Sequence, residues 1–129
     1  MASIRREFFL NIGADQVWEV LRDFGAVHTR LAPGFVTDTK LHGNARIVTF
    51  ANGSVAREEL VTMDDAHRRL VYMIRSERLQ HHNASAEIVP DGAGCRFVWT
   101  TDVLPDEIAP YIGGQMDAGV EAMRKSLEE

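Results

Sequence analysis

GNARIVTFANGSVAREELVTMDDAHRRLVYMIRSERLQHHNASAEIVPDGAGCRFVWTTDVL, residues 43–104, decides the fold. Short runs of alternating apolar and polar residues are broken at His42-Gly43-Asn44, Ala51-Asn52-Gly53, Asp64-Asp65-Ala66-His67, Ser76-Glu77-Arg78 and Pro90-Asp91-Gly92-Ala93-Gly94. Each break offers a residue that tolerates φ > 0, an Asx turn, or a charged tip. Runs of this length joined by turns this tight predict an antiparallel meander, with strands over 35–41, 46–50, 55–63, 70–74, 79–89 and 95–103.

The flanks read differently. Ile4, Phe8 and Leu10 alternate in a first strand, residues 11–15 turn, and Asp15 and Gln16 suit a helix entry, where a carboxylate meets the positive end of the helix dipole. Val17, Trp18, Val20, Leu21 and Phe24 then form a helical stripe over 17–24. Gly25 interrupts it, a second short helix over 26–31 follows, and Pro33-Gly34 ends the segment. After Pro105 and Asp106, the residues Ile108, Ile112, Met116, Val120, Met123 and Leu127 recur at threes and fours, the apolar face of a long terminal helix. Strand, two short helices, six strands and a helix make an α+β chain in which a curved sheet closed by one long helix encloses a cavity.

A chain of 129 residues, 45% hydrophobic and 26% charged, is enough for one domain with a core of its own, spanning 1–129, and too short for two. Its net charge of −5, with scattered basic residues, argues against nucleic acid and against an anionic membrane surface. Cys95 is the sole cysteine, which excludes an intrachain disulfide. With no signal-peptide pattern and no apolar run long enough to insert into a membrane, the expectation is a cytoplasmic protein. Homodimerisation is left open.

Many weak motifs then fall in one order: Ala14-x-x-Val17-Trp18-x-x-Leu21-x-Asp23-Phe24, His28, Pro33-Gly34, Arg46, Gly53, Glu58-x-Leu60, Asp64-Asp65, Arg68-Arg69-Leu70-Val71-Tyr72, Gly94, Trp99 and Met116-Asp117-Ala118-Gly119. In this the chain resembles the START/birch-pollen-allergen-like (SRPBCC) superfamily over almost its whole length. It is most similar to the bacterial polyketide cyclase/dehydratase-like branch and distantly similar to plant abscisic-acid receptors. The resemblance implies a helix-grip fold: a seven-stranded antiparallel sheet wrapped around the C-terminal helix, with two short helices after the first strand and a cavity for an apolar or amphipathic molecule. A shared fold does not choose among the carriers, receptors and cyclases built on it.

Strand parity nominates the polar residues. Arg46 shares a face with Val48 and Phe50, and Glu58 with Leu60, so both charges are expected inside, where each needs the other or a polar ligand group. The resemblance places the receptors' ligand-holding glutamate on Glu58. The alternative is a salt bridge that meets no ligand. Tyr72 shares parity with Leu70 and Ile74, and His82 with the small Ala84 and Ala86; a tyrosine hydroxyl and an imidazole titrating near neutrality could orient a ligand or move a proton. A satisfied core position is the simpler reading of each. His28 and Arg30 lie in the short helix that caps the cavity mouth in this fold, as a solvated face or a substitute anchor. On the long helix, Tyr111 and Gln115 interrupt the apolar stripe, while Gly113, Gly114 and Gly119 leave room or mobility beside them.

The primary reading is a binder of a hydrophobic or amphipathic small molecule. Phe50, Leu60, Tyr72, Trp99, Tyr111 and Met116 would line the apolar body, and Arg46, Glu58, His82 and Gln115 would meet its polar groups. A second reading is a cofactor-independent cyclase/dehydratase in which Glu58 or His82 removes a proton α to a carbonyl and Arg46 stabilises the enolate. A third is a quinone- or protein-interaction module. No metal site is expected, because the adjacent His81 and His82 leave a strand on opposite faces. Cys95 reads as inert, and Gly92-Ala93-Gly94 joins two strands rather than cradling phosphate.

Overall fold

Residues 1–128 are described in a computed structural model. Strand β1 (Ala2–Leu10) is followed by helix α1 (Ala14–Leu21) and a π-helical turn (Val27–Leu31). Six strands come next: β2 (Val36–His42), β3 (Ala45–Phe50), β4 (Val55–Asp64), β5 (Arg69–Ile74), β6 (His81–Asp91) and β7 (Gly94–Leu104). A 3₁₀ turn (Asp106–Ile108) leads into helix α2 (Ala109–Leu127). The strands form a single antiparallel sheet in the order β1-β7-β6-β5-β4-β3-β2. This is the seven-stranded helix-grip architecture expected from the sequence.

The hairpins close where small residues permit. Gly43 and Gly92 sit at φ 63° and 62°, a region that costs a side chain and costs glycine nothing. The β2–β3 hairpin thereby pairs His42 with Ala45, and the β6–β7 hairpin pairs Asp91 with Gly94. Two differences concern the helices after β1. The first ends at Leu21 rather than Phe24, and the second begins at Val27 and winds with the wider π spacing. The long helix also starts later, because Asp106–Ile108 forms its own tight turn before Ala109.

Alternation in β6 and β7 puts His82, Ala84, Ala86 and Ile88, and Cys95, Phe97, Thr101 and Val103, on the buried concave face. Phe8 stacks on Phe97 at 5.0 Å between ring centroids, joining β1 to β7 beneath α1. Met116 and Met123 of α2 are buried against this face, with Ile112 and Val120 half-buried beside them. The far end is clamped by Asp65, which accepts from Trp18 Nε1 at 2.8 Å and from Arg22 Nε at 2.9 Å and so ties α1 to the β4–β5 turn. Between that plugged end and α2 the sheet stays open.

Candidate functional site

The open space is a cavity of about 450 Å³ between sheet and helix. Its apolar wall includes Val48, Phe50, Phe97, Trp99, Ile112 and Met116, and Ala86 and Gly119 contribute no bulk. Gly119 lets the helix sit close to the wall there, since a Cβ at this position would lie 3.1 Å from the Trp99 ring and 3.3 Å from Phe35 and would push one of those rings aside by a few tenths of an ångström. Tyr111 is at the mouth, 53% exposed, and Gln115 lines the wall one turn further along.

At one end of this apolar space is a buried ion pair. The register of β3 and β4 sets Arg46 directly opposite Glu58, and Arg46 Nε donates to Glu58 Oε1 at 2.7 Å with both side chains almost fully enclosed. The guanidinium carbon lies 4.1 Å from the centroid of the Phe24 ring and 5.1 Å from that of Tyr72, and Nη1 reaches the Phe24 carbonyl oxygen at 3.4 Å. Flanking aromatic faces and a carboxylate together offset much of the cost of burying the cation. Arg46 Nη2 and Glu58 Oε2 have no protein partner among the described residues, and neither is a sealed atom, so both open on the cavity they line.

Tyr72 and His82 stand beside the pair, with ring centroids 6.1 Å apart. Burial, and then the Glu58 carboxylate, push the Tyr72 phenol well above its ordinary range, so the hydroxyl keeps its proton at every working pH. His82 departs from expectation. It does not titrate near neutrality, because burial lowers its pKa to about 4, and its Nδ1 accepts the Ile74 backbone N–H at 3.1 Å. A lone pair held by an N–H leaves the proton of the neutral ring on Nε2, so His82 presents a donor and has no basic nitrogen free.

The model of the family described as "Polyketide cyclase / dehydrase and lipid transport" matches residues 1–128. The chain belongs to this family. Among curated proteins none matches. A solution structure from Thermobifida fusca is 31% identical over 96% of this chain and 91% of its own, with a TM-score of 0.77. An uncharacterised protein from Bacillus thuringiensis is 17% identical over 99% and 100% of the two chains, with a TM-score of 0.87. Norcoclaurine synthase from Thalictrum flavum is 23% identical over 96% and 91%, with a TM-score of 0.76. The last two likenesses are of fold.

Of the sequence-nominated residues, Arg46, Phe50, Glu58, Tyr72, His82, Trp99, Tyr111, Gln115 and Met116 all line the cavity of this polyketide cyclase and lipid transport family member. Leu60 does not. It shares the face of Glu58 but packs, half-buried, against the main core cluster outside the cavity wall. Ala84 is buried in the sheet without reaching the cavity, and Gly114 lies on the outer side of α2 with nothing within 4 Å of where its Cβ would be. Arg30 is held by Asp23 at 2.7 Å. Thr101, Val48 and Phe97 line the wall without having been singled out. Thr101 was signalled by its parity with Phe97 and Val103 on β7. Cys95 is buried and its thiol pKa is raised by that burial, and among the described residues no three His, Cys, Asp or Glu side chains converge as a metal site requires. No helix of the described residues is long and apolar enough to cross a membrane.

Proposed function

We propose that this protein binds a hydrophobic or amphipathic small molecule in the cavity between the sheet and α2. The observation that carries this reading is a cavity of about 450 Å³ with a largely apolar wall, polar at its enclosed Arg46–Glu58 end, where polar atoms without protein partners face inward, and again where the exposed Arg75, Ser76 and Arg78 line it. That volume lies within the range of about 300 to 1,000 Å³ usual for small-molecule sites. The apolar body of the ligand packs on Phe50, Trp99 and Met116, while its polar end meets Arg46, Glu58, Tyr72 and His82. The family description, which includes lipid transport, supports the same reading.

Native mass spectrometry of the purified protein should reveal a co-purifying small molecule, and a fluorescent apolar probe should bind and be displaced by fatty acids or polycyclic aromatics. Ala86→Leu fills the cavity from the sheet side and should cut probe affinity at least tenfold while the circular dichroism spectrum is retained. Unchanged probe binding in that variant would place the ligand elsewhere and overturn the reading.

The free Glu58 Oε2 beside a guanidinium favours one further possibility, a reaction in which Glu58 removes a proton α to a carbonyl. With His82 locked as a donor, that role falls on Glu58 alone. Glu58→Gln should then lower turnover of a bound ligand by about two to four orders of magnitude. If the identified ligand is instead recovered chemically unchanged from the parent protein, the site is a binder.

A further inference from the structure

β5 and β6 pair regularly from Arg69↔Glu87 to Tyr72↔Ala84, and there the ladder stops. The next inward residues are Ile74 and His82, and in place of a ladder bond the Ile74 N–H donates to the His82 side chain at 3.1 Å. The imidazole therefore completes the sheet edge with Nδ1 and cannot turn without orphaning a backbone donor. Its Nε2 has no protein partner among the described residues, is not a sealed atom, and belongs to a ring that lines the cavity. A backbone N–H can only donate, so Nδ1 can only accept, and the mobile proton is confined to the cavity-facing nitrogen.

The groups around that nitrogen narrow its partner. Arg46 Nη2 and the Tyr72 hydroxyl are donors on the same wall, and Glu58 Oε2 is the single anionic acceptor. Arg46 is already neutralised by Glu58, so the enclosed end beside His82 holds no spare positive charge for a carboxylate; the other arginines that line the cavity are the half-buried Arg57 and the exposed Arg75 and Arg78, of which Arg75 is held by Glu59 at 2.7 Å. An ammonium would face a cation and two neutral donors. What matches is an uncharged oxygen acceptor on an otherwise apolar body.

We propose that His82 is a fixed hydrogen-bond donor that selects ligands carrying a carbonyl-type oxygen, such as an aryl ketone, ester or quinone. This rests on the cavity being the ligand site. The donor is permanent through the neutral range, since the ring takes a second proton only in acid. His82 is thus a specificity-determining residue whose anchor is the interrupted β5–β6 ladder.

A matched pair of probes tests it: acetylnaphthalene, which carries the carbonyl, and isopropylnaphthalene, which has the same shape without an acceptor. The ratio of the ketone's dissociation constant to the hydrocarbon's, measured by calorimetry, should rise about fivefold in His82→Leu, the worth of one ordinary hydrogen bond. It should hold in His82→Gln, whose amide offers both an acceptor for Ile74 and a donor for the ligand. A ratio unchanged in His82→Leu, with both probes still bound, overturns the donor role and leaves the cavity reading intact. Failure of both probes to bind the parent protein overturns both, and binding of the hydrocarbon without the ketone overturns the donor role alone. Should His82→Leu not fold, long-range ¹H–¹⁵N spectra of the labelled parent decide: His82 should be protonated on Nε2 at neutral pH, and saturating acetylnaphthalene should shift Nε2 more than Nδ1. Protonation on Nδ1, or no response at Nε2, overturns the assignment.

Discussion

Arg46 and Glu58 show what one residue can and cannot announce. Their inward direction followed from alternation alone, because a strand residue sharing parity with Val48, or with Leu60, has to face the same side. Cost narrowed their partner to each other or a polar ligand group, since a buried charge needs one, and the structure shows the first. The Phe24 and Tyr72 rings flanking the guanidinium, and the Ile74 N–H on His82, were not legible, because they depend on where a turn after α1 stops and where a ladder breaks. The pair also makes a sharp mutational prediction. Glu58→Gln leaves an uncompensated cation enclosed and should cost about 3 kcal/mol or more in urea unfolding. The double substitution Arg46→Met with Glu58→Leu removes both charges and should return most of that loss, because the pair's own desolvation nearly cancels its attraction. Carbonyl selectivity, which rests on His82, should persist in the double variant; its loss there would assign the selectivity to the Arg46–Glu58 pair instead.

Among the elements, α2 was the most legible and its glycines the least. A periodic stripe from Ile112 to Met123 fixed which face is buried, and Met116 and Met123 are indeed enclosed. The three glycines looked alike in sequence, yet each stands in a different place. Gly119 lies against Trp99 and Phe35, Gly113 is 3.1 Å by its would-be Cβ from Arg6 Nη2, and Gly114 faces open space. Helix propensity then separates them. Gly114→Ala removes backbone freedom from the unfolded chain and meets nothing, so it should stabilise the protein by about 1 kcal/mol and leave probe affinity unchanged. Gly119→Ala gains the same propensity but pushes the Trp99 ring toward the cavity, so its melting temperature should move less while probe affinity falls. Equal behaviour of the two variants in both thermal melts and probe titrations would show that Gly119 does not shape the cavity wall. The meander was legible for a related reason: each turn was marked by residue type, whereas the π-helical turn Val27–Leu31 carries no signal that distinguishes it from an ordinary helical one.

At the scale of the whole molecule the architecture was predictable because seven alternating runs and one long stripe leave few ways to bury apolar surface, while the depth of the cavity depends on a few side chains failing to meet. That same enclosure couples the site to global stability through His82. Its pKa is about 4 in the fold, against 6.5 for an unburied ring, and desolvation of the charged form is the main cause. Above pH 6.5 the ring is neutral in both folded and unfolded chains, and stability is at its full value with respect to this group. Between 6.5 and 4 the unfolded chain takes up a proton that the folded one refuses, so stability falls as pH falls, toward a ceiling of about 3 kcal/mol. Asp64 and Asp65, whose carboxyls are held below their ordinary 3.8 first by the His67 and Trp18 hydrogen bonds respectively, lose their contributions only in more acidic solution. The two windows are therefore separable. Urea midpoints measured in steps from pH 7 to pH 4 should decline steadily in the parent and stay nearly level in His82→Gln, with the two proteins falling together below about pH 4. A decline of the same slope in His82→Gln would assign the proton to another group and remove the enclosed, neutral imidazole on which the donor role depends.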